Sequence, residues 1–145
     1  PLPVEVSASY EEAPLDCEVD VQGVSRAVLN ILQNALYVLA EKHAASKGRF
    51  APRLSVRTAM HDGMAEVRIA DNGGGIPPGI LEKIFEPFYT TKPSGTGTGL
   101  GLSMSYEIIV KGHGGSLHAE NGPEGAVFIV SLPLFLARPA FILQD

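Results

Sequence analysis

This sequence is poor in cysteine, tryptophan and clustered positive charge, and two of these shortages exclude whole classes of protein. Cys17 is the only cysteine among 145 residues, so the chain cannot carry a disulfide framework or a thiolate zinc site. Its place in an alternating run predicts a small buried side chain. The net charge of −5, without a run of Lys or Arg, argues against a nucleic-acid or anionic-membrane surface.

Long apolar runs and targeting segments are also missing. No apolar stretch reaches the roughly 20 residues of a membrane helix, and no signal peptide opens the chain. We therefore expect a cytoplasmic domain, and whether its parent protein is anchored in a membrane stays open. A hydrophobic fraction of 45% is ordinary for a globular fold with a real core. Because the chain begins at Pro1 rather than Met, we expect a fragment of a longer protein.

Runs of alternating apolar and polar residues predict about six strands in three hairpins. The predicted pairs join residues 4–10 to 15–19, 54–58 to 64–70, and 116–119 to 126–132. The middle pair flanks His61-Asp62-Gly63, which is typical of a tight turn. We expect a mixed, mostly antiparallel sheet.

Two amphipathic segments predict the main helices. The first begins after Asp20, a suitable N-cap, and extends to about Lys42. The second follows a glycine-rich stretch and extends from Leu102 to about Lys111. A shorter helix is predicted for residues 78–84. With the long helices on one face of the sheet, the predicted fold class is α+β, a two-layer α/β sandwich.

Two asparagines, Asn30 and Asn34, lie one turn apart on the first predicted helix. They form a stripe with Tyr37 and Glu41 beside the apolar face. Asparagine is a mediocre helix former, so the pair is unusual, and both amides would point toward whatever lies along the stripe. The alternative is two solvent-exposed asparagines.

An acidic residue, Asp71, ends a predicted strand and is followed by Asn72 and three glycines. The glycines allow a flat ligand to lie against the backbone. A carboxylate at this position could accept a hydrogen bond from an exocyclic amine such as that of adenine. The alternative is an Asp that closes a tight turn.

A loop and a glycine-rich stretch separate the short helix from the second long helix. Aromatic residues at positions 85, 88 and 89 predict a hydrophobic plug or the hinge of a lid, and Lys92 is placed to reach a phosphate. Glycine then occupies every second position from Gly95 to Gly101. A helix N-terminus after such a stretch is a natural phosphate site, although a flexible loop is the alternative. The P-loop pattern is absent, and Leu100 breaks the dinucleotide fingerprint.

Four motifs, in this order, resemble those of the ATP-binding catalytic domain of bacterial sensor histidine kinases. That superfamily also contains DNA gyrase, heat-shock chaperone and mismatch-repair ATPases, and the resemblance implies its Bergerat ATP-binding fold. The similar segments are 29–35 (asparagine box), 71–77 (first glycine box), 85–92 (phenylalanine box) and 97–102 (second glycine box). We expect the catalytic domain to occupy residues 1–133. The apolar tail, residues 134–145, is expected to pack on the domain or on a partner.

The resemblance implies roles by position. Asn34 would hold Mg²⁺ with Asn30 nearby, Asp71 would read the adenine amine, and Asn34 and Lys92 would be the catalytic residues. Mg²⁺ would bridge the phosphates of ATP. The other implied nucleotide contacts are Gly73, Gly75, Ile76, Phe88, Thr91, Gly97, Thr98, Gly99, Leu100, Gly101 and Leu102.

Two positions depart from the family's patterns. Tyr37 stands where many members have Lys, and Ala126 stands where a Thr is frequent. Asn30 occupies the position at which the hydrolysing branch has a Glu that activates water. Because a carboxamide cannot act as a general base, the sequence favours phosphotransfer over hydrolysis.

The resemblance also implies partners. A phosphoacceptor histidine should lie on a separate dimeric helical domain of the same parent protein, and a response regulator should act downstream. The fragment is expected not to phosphorylate itself, because none of its histidines has the acceptor context: His43, His61, His113 and His118. An anti-sigma-type serine kinase and a nucleotide-binding module without catalysis are the alternatives. No nucleic acid and no direct membrane contact are expected.

Overall fold

A computed structural model describes residues 1–89 and 101–135. Within these ranges five strands form one mixed sheet in the order β1-β2-β3-β5-β4. The strands are β1 (Glu5–Ser9), β2 (Arg53–His61), β3 (Met64–Asp71), β4 (Ser116–Asn121) and β5 (Ala126–Pro133). β1 is parallel to β2, and the other neighbours are antiparallel. The predicted α+β class and mostly antiparallel sheet are confirmed.

Three helical segments accompany the sheet. They are α1 (Val21–Ala45), α2 (Pro78–Leu81) and α3 (Gly101–Tyr106), and α3 continues as a π-helical turn over Glu107–Lys111. Asp20 is the N-cap of α1, as predicted, and its carbonyl accepts a hydrogen bond of 2.9 Å from Val24 N–H. Among the described residues, no helix combines the length and the apolar character that are needed to cross a bilayer.

The core lies between α1 and the central strands β3 and β5. Helical spacing places four fully or almost fully buried residues on one side of α1: Ala27, Ile31, Ala35 and Leu39. They belong to one hydrophobic cluster with Ile69 of β3 and Phe128 of β5. Burying such large apolar side chains stabilises the fold by about 1.5–3 kcal/mol each. The apolar stripe of α1 was therefore predicted correctly.

The alternation of β3 decides where its last residue lies. Val67 and Ile69 belong to the hydrophobic core, and residue 71 shares their face because side chains alternate along a strand. Glu66 and Arg68 occupy the opposite face, where they form a 2.7 Å ion pair. The strand thus delivers the Asp71 carboxylate to the face that α1 covers.

The first predicted hairpin is wrong, although its alternation is real. β1 pairs with β2 in parallel, and residues 15–19 form no strand in the described part of the chain. Leu15, Cys17 and Val19 are half-buried, as an alternating segment requires. An alternating pattern fixes which side of a segment is buried but not its partner, and the long crossover through α1 permits the parallel pairing. Residues 1–89 and 101–135 accordingly contain five strands rather than about six.

The other two hairpins are confirmed. Asp62 and Gly63 join β2 to β3 with φ values of 52° and 74°, as a type I′ turn requires. β4 and β5 pair from Ser116 to Asn121. Of the apolar tail, only its first two residues are described, and Phe135 N–H donates a hydrogen bond of 2.6 Å to the Asp16 carbonyl. Residues 136–145 lie outside the described ranges.

Candidate functional site

The carboxylate of Asp71 is buried at the end of β3, with 7% of the residue exposed. Its Oδ1 accepts a hydrogen bond of 2.8 Å from Gly73 N–H, and the Ala126 amide donates to the same carboxylate. Burial raises the pKa of Asp71 above its ordinary value, while these two amides and the charge of Lys42 act in the opposite direction. A carboxylate has about four acceptor positions, so this one can still accept a hydrogen bond from a ligand.

The glycines after Asp71 pack directly on α1. A Cβ on Gly73 would lie 2.6 Å from Val38 Cγ1 and 2.9 Å from Asp71 Oδ1. Gly74 has a φ of +97°, and a Cβ there would lie 3.7 Å from Lys42 Nζ. Larger residues at position 73 would push the turn away from the helix, so glycine is required for this contact.

The start of α3 packs on the other end of the same helix face. Asn30 Nδ2 donates a hydrogen bond of 3.0 Å to the Gly101 carbonyl. One turn later on α3, the hydroxyl of the fully buried Ser105 donates a hydrogen bond of 2.8 Å to the Ala27 carbonyl. These two bonds join the beginning of α3 to α1 within a single turn of each helix.

The contacts of α1 bring three predicted motifs together. Asn30 contacts Gly101 of the second glycine box, and Val38 lies against Gly73 of the first. Asn34 is four residues, about 6 Å along the axis, from Asn30 and from Val38. Side chains four residues apart lie on the same side of a helix. The half-buried Asn34 is therefore located between the two glycine boxes.

Two asparagine side chains hold the ends of the first glycine box. Asn72 is 8% exposed. Its Oδ1 accepts a hydrogen bond of 2.7 Å from Arg53 N–H, and its Nδ2 donates a hydrogen bond of 2.9 Å to the Ala51 carbonyl. Asn121 makes the corresponding pair of bonds with Ile76: Oδ1 accepts from its N–H and Nδ2 donates to its carbonyl, both at 2.7 Å. Each carboxamide thus bonds one backbone N–H and one backbone carbonyl, as a neighbouring strand would.

The aromatic residues of the phenylalanine box separate into two kinds. The Phe85 ring lies 5.8 Å from that of Tyr106 and edge-on to Phe128 at 6.2 Å, and Tyr89 packs against the core. These two positions form the predicted hydrophobic plug. Phe88 is 72% exposed and has a φ of 65°, an uncommon backbone conformation for an aromatic residue.

Several predicted site residues lie outside the described residues, and their roles stay predictions: Thr91, Lys92, Gly97, Thr98, Gly99 and Leu100. Leu102, by contrast, is described and packs against the hydrophobic cluster. Within residues 1–89 and 101–135 no group of three His, Cys, Asp or Glu side chains could hold a metal ion.

A sequence profile of histidine kinase-, DNA gyrase B- and HSP90-like ATPases matches residues 19–136, which is most of the chain. The chain belongs to this ATPase family. The resemblance to histidine kinase catalytic domains is likewise confirmed by structure. The catalytic domain of histidine kinase ThkA has a TM-score of 0.77 and 30% identity, over 92% of this chain and 80% of that one. The mycobacterial sensor histidine kinase MprB has a TM-score of 0.73 and 31% identity, over 93% and 86%.

Curated sensor proteins are related to this ATPase domain over only part of their length. The two-component sensor PprA of Pseudomonas aeruginosa is 46% identical over 117 residues, 81% of this chain and 12% of PprA. The sensor protein ChvG of Agrobacterium fabrum is 37% identical over 119 residues, 76% of this chain and 19% of ChvG. The chain thus spans less than a fifth of the length of these two relatives.

Sequence reasoning missed three residues that shape this histidine kinase-type site. Lys42 follows Val38 by one turn and lies beside Gly74, a position that helical spacing could have indicated. Ser105 and Asn121 gave no signal, because an isolated serine in a helix or asparagine at a strand end is common. Position 126 departs from the family's Thr, yet it serves Asp71 through its backbone amide, which any residue other than proline supplies.

His113, one of the four histidines without the acceptor context, connects two elements of the fold. Its Nε2 accepts a hydrogen bond of 3.0 Å from Asp20 N–H, and its Nδ1 lies 2.7 Å from the Ile108 carbonyl. This arrangement requires the neutral tautomer with the proton on Nδ1. The imidazole therefore joins the beginning of α1 to the end of the π-helical turn, away from the glycine boxes.

Proposed function

We propose that this ATPase domain binds ATP with Mg²⁺ and supplies the γ-phosphate to a histidine on a separate dimeric helical domain of its parent protein. A response regulator would then receive the phosphoryl group. Family membership and the similarity to sensor histidine kinases support this proposal. It is also supported by the structure of ThkA in complex with the response regulator TrrA, a match with a TM-score of 0.69 and 26% identity.

The observation that carries the proposal is the placement of three motifs along one face of α1. Asn30 is bonded to Gly101, Val38 lies against Gly73, and Asn34 stands between them. An adenine site and a phosphate site must lie several ångströms apart to accept the two ends of ATP. The eight residues from Asn30 to Val38, about 12 Å of helix, give a separation of that size.

Asp71 is proposed to recognise adenine. Its carboxylate is buried and oriented by two backbone amides, so it presents an acceptor in a fixed direction. The exocyclic amine of adenine is a donor, whereas guanine has a carbonyl at the corresponding position. We therefore expect ATP to be preferred over GTP.

Asn34 is proposed to hold Mg²⁺ through its side-chain oxygen. Mg²⁺ takes hard oxygen ligands, keeps several waters and is commonly bound by few protein groups together with substrate phosphates. A single carboxamide in a region without an acidic cluster among the described residues fits that pattern. The ion would supply positive charge that offsets the charge of the phosphates.

The site is proposed to transfer phosphate rather than hydrolyse it. Asn30 stands where hydrolysing relatives carry a Glu, and its amide donates to the Gly101 carbonyl. A carboxamide oxygen can accept a hydrogen bond from water but is not basic enough to take its proton, so Asn30 does not activate water for attack. The γ-phosphate would therefore be retained until a histidine acceptor arrives.

The remaining roles concern the second glycine box and the lid. Backbone amides of Gly97, Gly99 and Gly101 are proposed to face the phosphates, with Thr91 and Lys92 at the lid. Of these residues only Gly101 is described, at the first position of α3. Free N–H groups at a helix start and the positive end of its dipole favour negative charge there.

Calorimetric titration with ATP, with and without Mg²⁺, tests the binding step. Wild type should bind ATP more tightly with Mg²⁺, and Asn34→Ala should lose most of that Mg²⁺ dependence. Gln33→Ala is the matched control, because Gln33 is the exposed neighbour on α1 and should behave as wild type. Binding that ignores Mg²⁺ would instead favour a nucleotide-binding module without catalysis.

Incubation with γ-labelled ATP tests the transfer step. The fragment alone should stay unlabelled, and label should appear on a histidine when the helical domain of the parent protein is added. Acid-labile, base-stable label identifies phosphohistidine. Label on the isolated fragment would contradict the proposal, and acid-stable label on a serine would favour the anti-sigma-type kinase.

A further inference from the structure

We propose that Asn121 is a positioning residue for the nucleotide site, because it holds the first glycine box in the shape that adenine recognition needs. This inference rests on the proposed ATP-binding function. Asn121 is the last residue of β4, and nothing in the sequence marks it as part of the site. Its side chain nevertheless makes two hydrogen bonds to the box, both to Ile76.

The two bonds to Ile76 run in opposite directions. Asn121 Oδ1 accepts from Ile76 N–H, and Asn121 Nδ2 donates to the Ile76 carbonyl, each at 2.7 Å. A carboxamide offers an acceptor and a donor side by side, as a peptide group does. The side chain therefore fixes both the position and the rotation of residue 76.

The backbone of the box is shaped to fit this carboxamide. Gly75 has a φ of +89°, and a Cβ there would lie 2.8 Å from Asn121 Oδ1. Next to it, Gly74 N–H donates a hydrogen bond of 3.1 Å to the carbonyl of Glu124, which lies in the turn between β4 and β5. The end of β4 and the following turn thus both contact the box.

The support matters for recognition because the box is short and glycine-rich. Between Asp71 and Ile76 there are three glycines, which have the largest conformational freedom of any residue. Asn72 holds the first end of this segment to β2, and Asn121 holds the other. Without the second restraint, the segment would sample more conformations, and binding of the base would have to select one of them.

Asn121→Ala tests the role directly. Both bonds are exposed to water, which replaces them in the variant, so we expect ATP affinity to fall about threefold to tenfold. The Ile76 amide should exchange its hydrogen faster in the nucleotide-free variant. His118→Ala, on the exposed side of the same strand, is the control and should change neither measurement.

Asn121→Asp separates positioning from a general structural effect. At pH 8 the introduced carboxylate accepts from Ile76 N–H but opposes the Ile76 carbonyl, so ATP affinity should be at least as weak as in Asn121→Ala. Protonation gives the carboxyl a donor again, so affinity relative to wild type should recover only as pH falls to about 4, the ordinary pKa range of an exposed Asp. Glu120 and Glu124 are present in both proteins, so the ratio to wild type isolates the introduced group.

The outcomes are distinguishable. If wild type binds no ATP, the proposed function fails and this role fails with it. If wild type binds ATP and both variants bind equally well at every pH, only the role of Asn121 is overturned. Slow exchange of the Ile76 amide in Asn121→Ala would also overturn it, because the bonds would then not restrain the box.

Discussion

The substitution Asp71→Asn removes one charge from a buried position while preserving the shape of the side chain. Its Oδ1 can still accept the 2.8 Å hydrogen bond from Gly73 N–H. The second carboxylate oxygen becomes an NH₂ group, which can only donate. In the proposed complex this group would face the exocyclic amine of adenine, and two donors would then oppose each other.

The expected loss of affinity follows from the kind of bond removed. Hydrogen bonds to charged groups contribute about 1.5–3 kcal/mol, and each 1.4 kcal/mol is a factor of ten in the dissociation constant. Asp71→Asn should therefore weaken ATP binding about 10-fold to 150-fold. Nucleotides without the exocyclic amine, such as ITP, should lose much less.

The stability of the variant should change in the opposite sense. Burial raises the pKa of Asp71 above the ordinary value of 3.8, so the folded state holds this proton more tightly than the unfolded chain. Above 3.8 the unfolded chain loses the proton first, and the free energy of unfolding of wild type falls as pH rises through the raised pKa. The Asn variant lacks this titration, so at pH 7 it should melt no lower than wild type.

Calorimetry for ATP and ITP, together with thermal melting from pH 3.5 to 7.5, measures both effects. Asp62→Asn is the control, because it makes the same chemical change in an exposed turn and should leave affinity unchanged. Unchanged ATP affinity in a fully folded Asp71→Asn variant would refute the adenine role. A variant that melts well below wild type at pH 7 would refute the argument from the raised pKa.

Three further substitutions test the packing along α1. Gly73→Ala places a Cβ 2.6 Å from Val38 Cγ1, so overpacking should cost about 1–3 kcal/mol of unfolding free energy in denaturant titrations. Gly79→Ala, with open space around it, should cost nothing, and equal effects would contradict the contact. Ser105→Ala removes the buried hydrogen bond from the hydroxyl to α1, so the free energy of unfolding should fall by about 1 kcal/mol in the same assay. Ser25→Ala, at an exposed position, is the control and should cause no change. Asn30→Asp replaces the donor to a carbonyl by a carboxylate, so it should lower the melting temperature at pH 8 more than at pH 5; a pH-independent effect would argue against that bond.

Much of this site could be predicted because two periodicities determine it. Spacing of four residues places Asn30 and Asn34 on one side of α1, whatever the rest of the fold does. Alternation along β3 puts Asp71 on the same face as Ile69, so its carboxylate had to meet the helix layer. Local patterns of this kind depend only on residues close in the chain.

Pairing and support by distant residues could not be predicted in the same way. The residues 15–19 alternate as a strand does, but β1 pairs with β2 across a 25-residue helix instead. Asn121 is hydrogen-bonded to Ile76 although the two residues are 45 positions apart in the sequence, and neither residue type indicates which partner it will have. The predicted end of α1, at about Lys42, is three residues before the observed end at Ala45. Ala44 and Ala45 favour a helix, but they do not continue the pattern of larger apolar residues from which the prediction was made.

The most direct test of a single nucleotide site along α1 is a map of backbone amide chemical shifts during titration with ATP and Mg²⁺. The account predicts that the largest changes lie in residues 71–76, around Asn34 and at the start of α3. Changes concentrated on the opposite face of the sheet, at Arg57, Arg68 and His118, would contradict it.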